Sequence, residues 1–237
     1  MSKEIPDQKT PITKEQAVEA LWNGYLTYFA SAPKPECIEI ITAQWGIETG
    51  WGASMHGFNM GNVKARDGDG FDYQYFACNE LLPKAMADGY CSRDPEHTRI
   101  QSYRPDGNAW IWFYPPHPGC RFRAFESLQA GGSDHISLLA KHFPAALQAA
   151  RTGDPALYAH ALKLSGYYTA DESSYSKGLV GCVRIVQGLP INFDQLPIMT
   201  DAQREQIEGW IAAGVDLMVQ DALEASDEAR RKANEEK

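Results

Sequence analysis

The sequence predicts an α+β fold dominated by helix. Apolar residues recur at helical spacing from residue 13 to residue 49 and again from residue 122 to residue 188. Between them, residues 61–123 hold many Gly, Asp and aromatic residues and no long helical period, but they contain two short runs that alternate as strands do. Helices, a small β-hairpin lobe and helices again make a predominantly α-helical α+β arrangement.

Taken in order, residues 1–12 read as a flexible leader. Thr13 and Gln16 form a capping-box pattern, and Val18, Leu21, Trp22, Tyr25, Tyr28 and Phe29 then give one helix an aromatic stripe that reads as core packing. Pro33 and Pro35 break the chain. The apolar run Cys37 to Ile41 reads as a buried helix that ends near Glu48, where Gly50 and Gly52 follow. Asp67-Gly68-Asp69-Gly70 is a turn signal; it lacks the remaining ligands and the terminal Glu of a calcium loop and reads as a hairpin turn. Phe71, Tyr73, Tyr75 and Ala77 alternate as one strand, Ala109 to Tyr114 as a second ended by Pro115 and Pro116, and residues 83–108 read as an insertion loop with a short helix.

From Phe122 the pattern is helical again. Phe122, Phe125, Leu128, Ile136, Leu138, Leu139 and Phe143 suggest two turns of entry and a core helix. Asp154-Pro155 is an N-cap followed by Pro at the first helical position, Gly166 reads as a C-cap, and Leu157, Ala161 and Leu164 give that helix its apolar face. Leu179, Val180, Cys182, Val183 and Val186 mark a further buried helix. Beyond it, Thr200 and Gln203 make another capping box. Ile207, Trp210, Ile211, Val215 and Met218 line one face of a C-terminal helix, about Asp201 to Leu223, and a charged tail follows from Glu224. The predicted organisation is a leader at 1–12, one domain at 13–194, and an amphipathic helix with its tail at 195–237.

The chain of 237 residues is long enough to bury a core without staples. Its formal net charge of −9 and the absence of a basic stripe argue against a nucleic-acid partner. Six Trp and eleven Tyr suit either a carbohydrate binder or an aromatic core. The five cysteines show no metal-ligand spacing; Cys37 and Cys182 lie in apolar helical patterns and read as buried thiols, while Cys78, Cys91 and Cys120 leave the question of a bridge open. The histidines show no paired spacing, so neither a metal site nor a cofactor is expected. The polar run Met1 to Thr10 has no apolar core, which predicts no signal peptide, and no run approaches a membrane span. The protein is expected to be made in the cytoplasm.

Glu48 carries the strongest chemical signal. A carboxylate at a helix C-terminus meets the partial negative charge of the last carbonyls. That placement raises its pKa, as does burial against Trp45, Ile47 or Trp51. A carboxyl kept protonated near neutral pH is what a general acid needs to protonate a glycosidic oxygen. A lone Glu-Thr-Gly would read as a solvated helix end; the two flanking tryptophans favour the functional reading.

Glu48-Thr49-Gly50-Trp51-Gly52 resembles the Glu-Ser-Gly-Trp-Gly signature of the bacterial endo-β-N-acetylglucosaminidase family, which includes the flagellar peptidoglycan hydrolase and many autolysins. Asn59-Met60-Gly61-Asn62-Val63-Lys64-Ala65 is similar to the Asn and apolar-Lys-Ala stretch that follows it, with Gly61-Asn62 where the family usually has Phe-Gly. Phe122-Arg123-Ala124-Phe125 and Gly166-Tyr167-Tyr168-Thr169, with Tyr175 further on, resemble two later segments in the family's order. The resemblance spans residues 44–187 and implies a lysozyme-like catalytic domain acting on the glycan strand of peptidoglycan. It makes Glu48 the general acid and Glu80, after Phe76-Ala77-Cys78-Asn79, the best match for the second acidic residue. Asp72 and Asp69 compete for that role, and the substrate's own N-acetyl group is a further alternative. Tyr167 is carried over as a substrate contact, with Tyr168, Trp51 and Asn59 beside it. Asn59 acts through a side-chain to main-chain bond that shapes the cleft.

The function expected is cleavage of β-1,4 glycosidic bonds, as an N-acetylglucosaminidase. The drift of Gly61-Asn62 towards an Asn-x-Gly-Asn pattern leaves a lytic transglycosylase or muramidase as an alternative. A non-catalytic glycan-binding component of a phage particle or secretion apparatus is an alternative of another class. The C-terminal stripe supplies the motive for that alternative, as a docking face for a protein partner or for a second copy. Reaching the wall requires delivery by a holin, a secretion apparatus or a phage particle.

Overall fold

A computed structural model describes residues 2–168, 170–198 and Glu205. The predicted C-terminal helix with Ile207, Trp210, Ile211, Val215 and Met218, and the charged tail, lie outside the described residues. The architecture is α+β and mostly helical, with small antiparallel sheets. The described residues form two compact units, each assembled from separated stretches: residues 2–10 with Met55–Glu126, and residues 11–54 with 127–198.

The second of these units is all helix. Thr13 caps α1 (Lys14–Phe29) with the reciprocal Gln16 bond that the sequence predicts. Helix α2 (Pro35–Thr49) begins with Pro at its first turn and ends at Gly50, whose φ of 58° closes the helix in the left-handed region. Then come α4 (Leu128–His142), α5 (Pro144–Arg151), α6 (Pro155–Leu164) and α7 (Glu172–Gln187). Helix α2 packs against α1, α5 and α7, and is buried almost all round from Cys37 to Gly46. Ile38, Ile40, Ile41 and Trp45 are at most 1% exposed, and full burial of such a side chain contributes roughly 1.5–3 kcal/mol. Helices α1 and α4 meet at two glycines. A Cβ on Gly132 would lie 2.5 Å from the Ala20 carbonyl oxygen, and one on Gly24 would lie 2.7 Å from Gly132 backbone. The last described residues close on α1, where Trp22 Nε1 donates to the Pro197 carbonyl at 2.8 Å.

Helix α6 turns a different face inward from the one read off its leucines. Tyr158, Ala159, Ala161 and Leu162 are buried, while Leu157 and Leu164 are 46% and 75% exposed. Two overlapping stripes fit the helical period here, and the one with Tyr158 buries because its hydroxyl finds a partner inside. Helix α7 likewise buries only Leu179, Val183 and Val186; Val180 and Cys182 are half-buried.

The other unit holds a three-stranded antiparallel sheet in the order β2 (Cys78–Pro83), β4 (Asn108–Phe113), β3 (Thr98–Tyr103), with α3 (Lys84–Arg93) packed against it. A two-stranded ladder pairs β1 (Tyr73–Tyr75) with β5 (Arg121–Arg123). Four readings are corrected here. Residues 83–108 hold the expected short helix, α3, but also β3 where a loop was read; the strand escapes notice because Ile100 is its only large aliphatic residue and it lies at the sheet edge. The run Phe71 to Ala77 is only three residues of strand, and β2 is a separate strand in the other sheet. Phe122 lies on β5 rather than in helical entry turns, and α4 begins at Leu128 under a Ser127 cap. The leader is hydrogen-bonded into the unit: Ile5 N donates to Tyr73 O at 2.8 Å, Gly57 N to Gln8 O at 2.9 Å and Thr10 N to Met55 O at 3.1 Å. Cys37, Cys78, Cys91, Cys120 and Cys182 are all free thiols. Among the described residues, no helix is long and apolar enough to cross a membrane.

Two stability predictions follow from the helical unit. Gly132→Ala forces a methyl into the Ala20 backbone, and is expected to cost roughly 1–3 kcal/mol or more as overpacking, measured by urea unfolding. His135 on α4 is 1% exposed, both ring nitrogens lack hydrogen-bond partners, and burial pushes its pKa down to about 4. The unfolded chain therefore binds a proton that the folded chain refuses between the ordinary histidine value of 6.5 and about 4. Stability is expected to fall as pH drops through that window and to level off below it; His135→Leu should flatten this part of a Tm-against-pH curve.

Candidate active site

Glu48, Trp51, Tyr167 and Tyr168 belong to the helical unit, together with Tyr175. Glu80 and Asn59 belong to the β-containing unit. Glu48 occupies the last turn of α2, which carries no basic residue to offset the helix-end carbonyls. It is half-buried, and burial raises its pKa; the Tyr175 hydroxyl, which donates to Glu48 Oε1 at 3.2 Å, acts in the opposite sense. The desolvation is the larger influence.

Tyr175 lies in the first turn of α7, which Asp171 caps through Ser174 N. Its ring stacks on Tyr168, with centroids 3.8 Å apart and planes 12° from parallel. Tyr168 donates its hydroxyl to the Ala159 carbonyl at 3.0 Å, so its polar end is engaged by main chain and it buttresses Tyr175. Tyr167, between α6 and α7, sets its ring edge-on to Phe143 at 5.0 Å. Burial, and next the charge of Glu48, push its hydroxyl far above the ordinary tyrosine range; the same two causes act on Tyr175. Both phenols therefore stay neutral at any working pH, and Tyr175 is the one whose hydroxyl is seen to donate to the carboxyl.

Trp51 follows from an unusual turn. Gly50, Trp51 and Gly52 have φ values of 58°, 57° and 85°, three left-handed residues in succession. The turn folds the indole back over Gly46, where a Cβ would meet the ring at 2.6 Å, and edge-on to Trp45 at 6.1 Å. Gly46 and Glu48 are two residues apart, about 200° around the helix, so Trp51 packs on a side of α2 different from the one that carries the carboxyl.

In the other unit, Asn59 is 1% exposed and its amide is taken up by main chain: Nδ2 donates to Val63 O at 2.9 Å and Arg123 O at 3.0 Å, and Oδ1 accepts from Val63 N at 2.9 Å. This is the main-chain role read from sequence, and it leaves no free donor for direct contact with a sugar. Glu80, on β2, pairs with Lys64 Nζ at 2.8 Å and its side chain is 40% exposed. Lys64 also donates to the Gly119 carbonyl. Asp72 accepts from Lys3 N at 3.0 Å, and Asp69 accepts from Arg66 N and Phe71 N, as a turn residue does. Among the described residues no group of three or more His, Cys, Asp or Glu could hold a metal ion.

Two contributors escaped sequence reasoning. Gln44, one turn before Glu48, and Tyr158 of α6 are both fully buried, and the Tyr158 hydroxyl donates to Gln44 Oε1. The signal available in sequence was a glutamine and a tyrosine inside otherwise apolar helical faces.

No protein-family model, no curated protein and no solved structure matches this chain.

The site yields a prediction independent of any activity. The folded-state pKa of Glu48 lies above its unfolded value, so its stabilising contribution is present at low pH and lost as pH rises past the ordinary glutamate range. Glu48→Gln is expected to raise Tm at pH 7 and to change it much less near pH 3. Tyr175→Phe removes a bond that favours the carboxylate, and should move the Glu48 midpoint up in a carboxyl-carbon NMR titration.

Proposed function

We propose that this protein cleaves the β-1,4 glycosidic bonds of the peptidoglycan glycan strand as an N-acetylglucosaminidase, with Glu48 as general acid. The observation that carries the reading is a half-buried carboxyl at a helix C-terminus with its pKa raised by burial and a tyrosine hydroxyl at 3.2 Å. A carboxyl so placed holds its proton to higher pH than an exposed glutamate does and can deliver it to a leaving oxygen. The resemblance to the lysozyme-like endo-β-N-acetylglucosaminidases over residues 44–187 supplies the substrate class. Asn62 adds support. It sits at φ 48°, a left-handed position that Gly and Asn tolerate best, so Asn in place of the family's usual Gly keeps the turn.

In the proposed reaction Glu48 protonates the glycosidic oxygen as the bond from that oxygen to the anomeric carbon breaks. The developing positive charge at carbon is met by a second carboxylate, a role that the resemblance gives to Glu80 ahead of Asp72, or by the substrate's own acetamide oxygen. Water then adds its oxygen to the anomeric carbon and returns a proton to Glu48.

The test is a turbidity and product assay on purified peptidoglycan. Glu48→Gln should keep the fold and lower turnover by about 10²–10⁴-fold, the usual weight of a positioned proton donor. Wild-type turnover in that variant would refute the assignment. Mass spectrometry of the digest identifies the bond: a reducing N-acetylglucosamine end is expected, whereas a reducing N-acetylmuramic end or an anhydro product would mark a muramidase or a lytic transglycosylase.

A further inference from the structure

Strand β4, in the middle of the three-stranded sheet, has two unlike faces. Ala109, Ile111 and Phe113 are buried, and Trp110 and Trp112 leave by the other side, half-buried. The buried set packs with Ala87, Tyr90 and Cys91 of α3 and with Cys78 and Leu82 of β2, a core to which neither tryptophan belongs. Glu80 lies between Cys78 and Leu82 and opposite Ile111, so it shares the core side and the tryptophans turn away from it. The ladder continues one residue past β4, where Tyr114 N donates to His97 O at 2.8 Å. Alternation puts the exposed Tyr114 in the row of the tryptophans. Its ring lies 6.1 Å from that of Trp112, with planes 21° from parallel. The row from Trp110 to Tyr114 is about 14 Å long at the usual rise of a strand, and one strand wide.

The flanks of the row are mostly polar. Asn79 and Arg99 stand opposite Trp112 in the register, and Leu81 and Ser102 opposite Trp110. Asn79, Arg99 and Ser102 are exposed. Arg99 is the one charged strand residue on this face, and it is positive on a chain of net charge −9. A protein partner is best held by apolar surface broad enough to form a dry centre, and this row is too narrow for that. Pairing with a second copy would also bring two Arg99 side chains to one small interface. Linked sugar rings fit better. Their C–H faces suit the electron-rich faces of aromatic rings, and the hydroxyl, amide and carboxylate groups at their edges suit Asn79, Ser102 and Arg99. We propose that Trp110, Trp112 and Tyr114 form a glycan-binding row that holds a strand of peptidoglycan, with Arg99 meeting carboxylates of its peptide stems. The choice of peptidoglycan among glycans rests on the proposed function; the row itself does not depend on Glu48.

The experiment is co-sedimentation of the full chain with purified peptidoglycan, in the Glu48→Gln background so that the wall stays intact, with and without Trp110→Ala, Trp112→Ala or Arg99→Gln. Each tryptophan variant should weaken binding about tenfold, the scale of one stacked ring. Arg99→Gln should weaken it at low salt and much less at high salt. Soluble oligomers of β-1,4-linked N-acetylglucosamine should also shift the indole N–H NMR signals of Trp110 and Trp112 in the wild type, which decides the matter if a variant fails to fold. Wall binding that is absent, or unchanged in the folded tryptophan variants, would overturn the proposal, as would indole signals that stay in place. A concentration-dependent dimer abolished by Trp112→Ala would overturn it too, by giving the row to a second copy. None of these readouts needs turnover, so wall lysis that persists in Glu48→Gln would refute the proposed function and leave the oligomer titration readable.

Discussion

The helical unit depends on the burial of α2. Helices α1, α5 and α7 all pack on it, and from Cys37 to Gly46 it offers them an almost continuous buried surface. A helix apolar on every side has nowhere to go but the middle of a bundle. That constraint fixes where the last turn emerges. Glu48 comes out where the apolar run is exhausted and Gly50 can reverse the chain, so its carboxyl is held by the last turn of a buried helix.

Placing a carboxyl there has an energetic cost, and the surrounding structure shows how it is limited. Desolvation and the helix-end carbonyls disfavour the charged form, and the Tyr175 hydroxyl offsets part of this. Tyr175 reaches Glu48 only because α7 starts at the Asp171 cap and because Tyr168, anchored to the Ala159 carbonyl, lies flat against its ring. A partly compensated carboxylate is a poor stabiliser and a good proton donor. The two properties have the same physical origin.

The β-containing unit shows a different logic. Its order comes from polar side chains spent on backbone. Asn59 ties Val63 to Arg123, Asp69 closes its own turn, and the leader supplies backbone partners to Tyr73 and Gly57. Short strands and exposed turns bury little apolar surface, so main-chain hydrogen bonds have to be satisfied one by one.

The sequence by itself determined the helices that have caps and one dominant apolar stripe. The Thr13 box, Pro35, Gly50 and the Asp154-Pro155 start are local chemistry, and they occur where local chemistry predicts. It also singled out Glu48, because a carboxylate at a helix end between two tryptophans violates local preference. What only tertiary structure decided was which of several equivalent faces is buried and which polar groups meet. The α6 face with Tyr158 buries in place of the face with Leu157 and Leu164 because Gln44, more than 100 residues earlier, offers its hydroxyl an acceptor. Strand β3 exists because β4 gives its backbone a ladder, although its own residues carry almost no apolar alternation. Tyr168 and Asn59 act as supports because their polar atoms found main-chain partners, Ala159 for the one and Val63 and Arg123 for the other. Periodicity and capping act over one or two helical turns and can be read from the chain. A hydrogen bond between residues distant in sequence is specified only once the fold has brought them together.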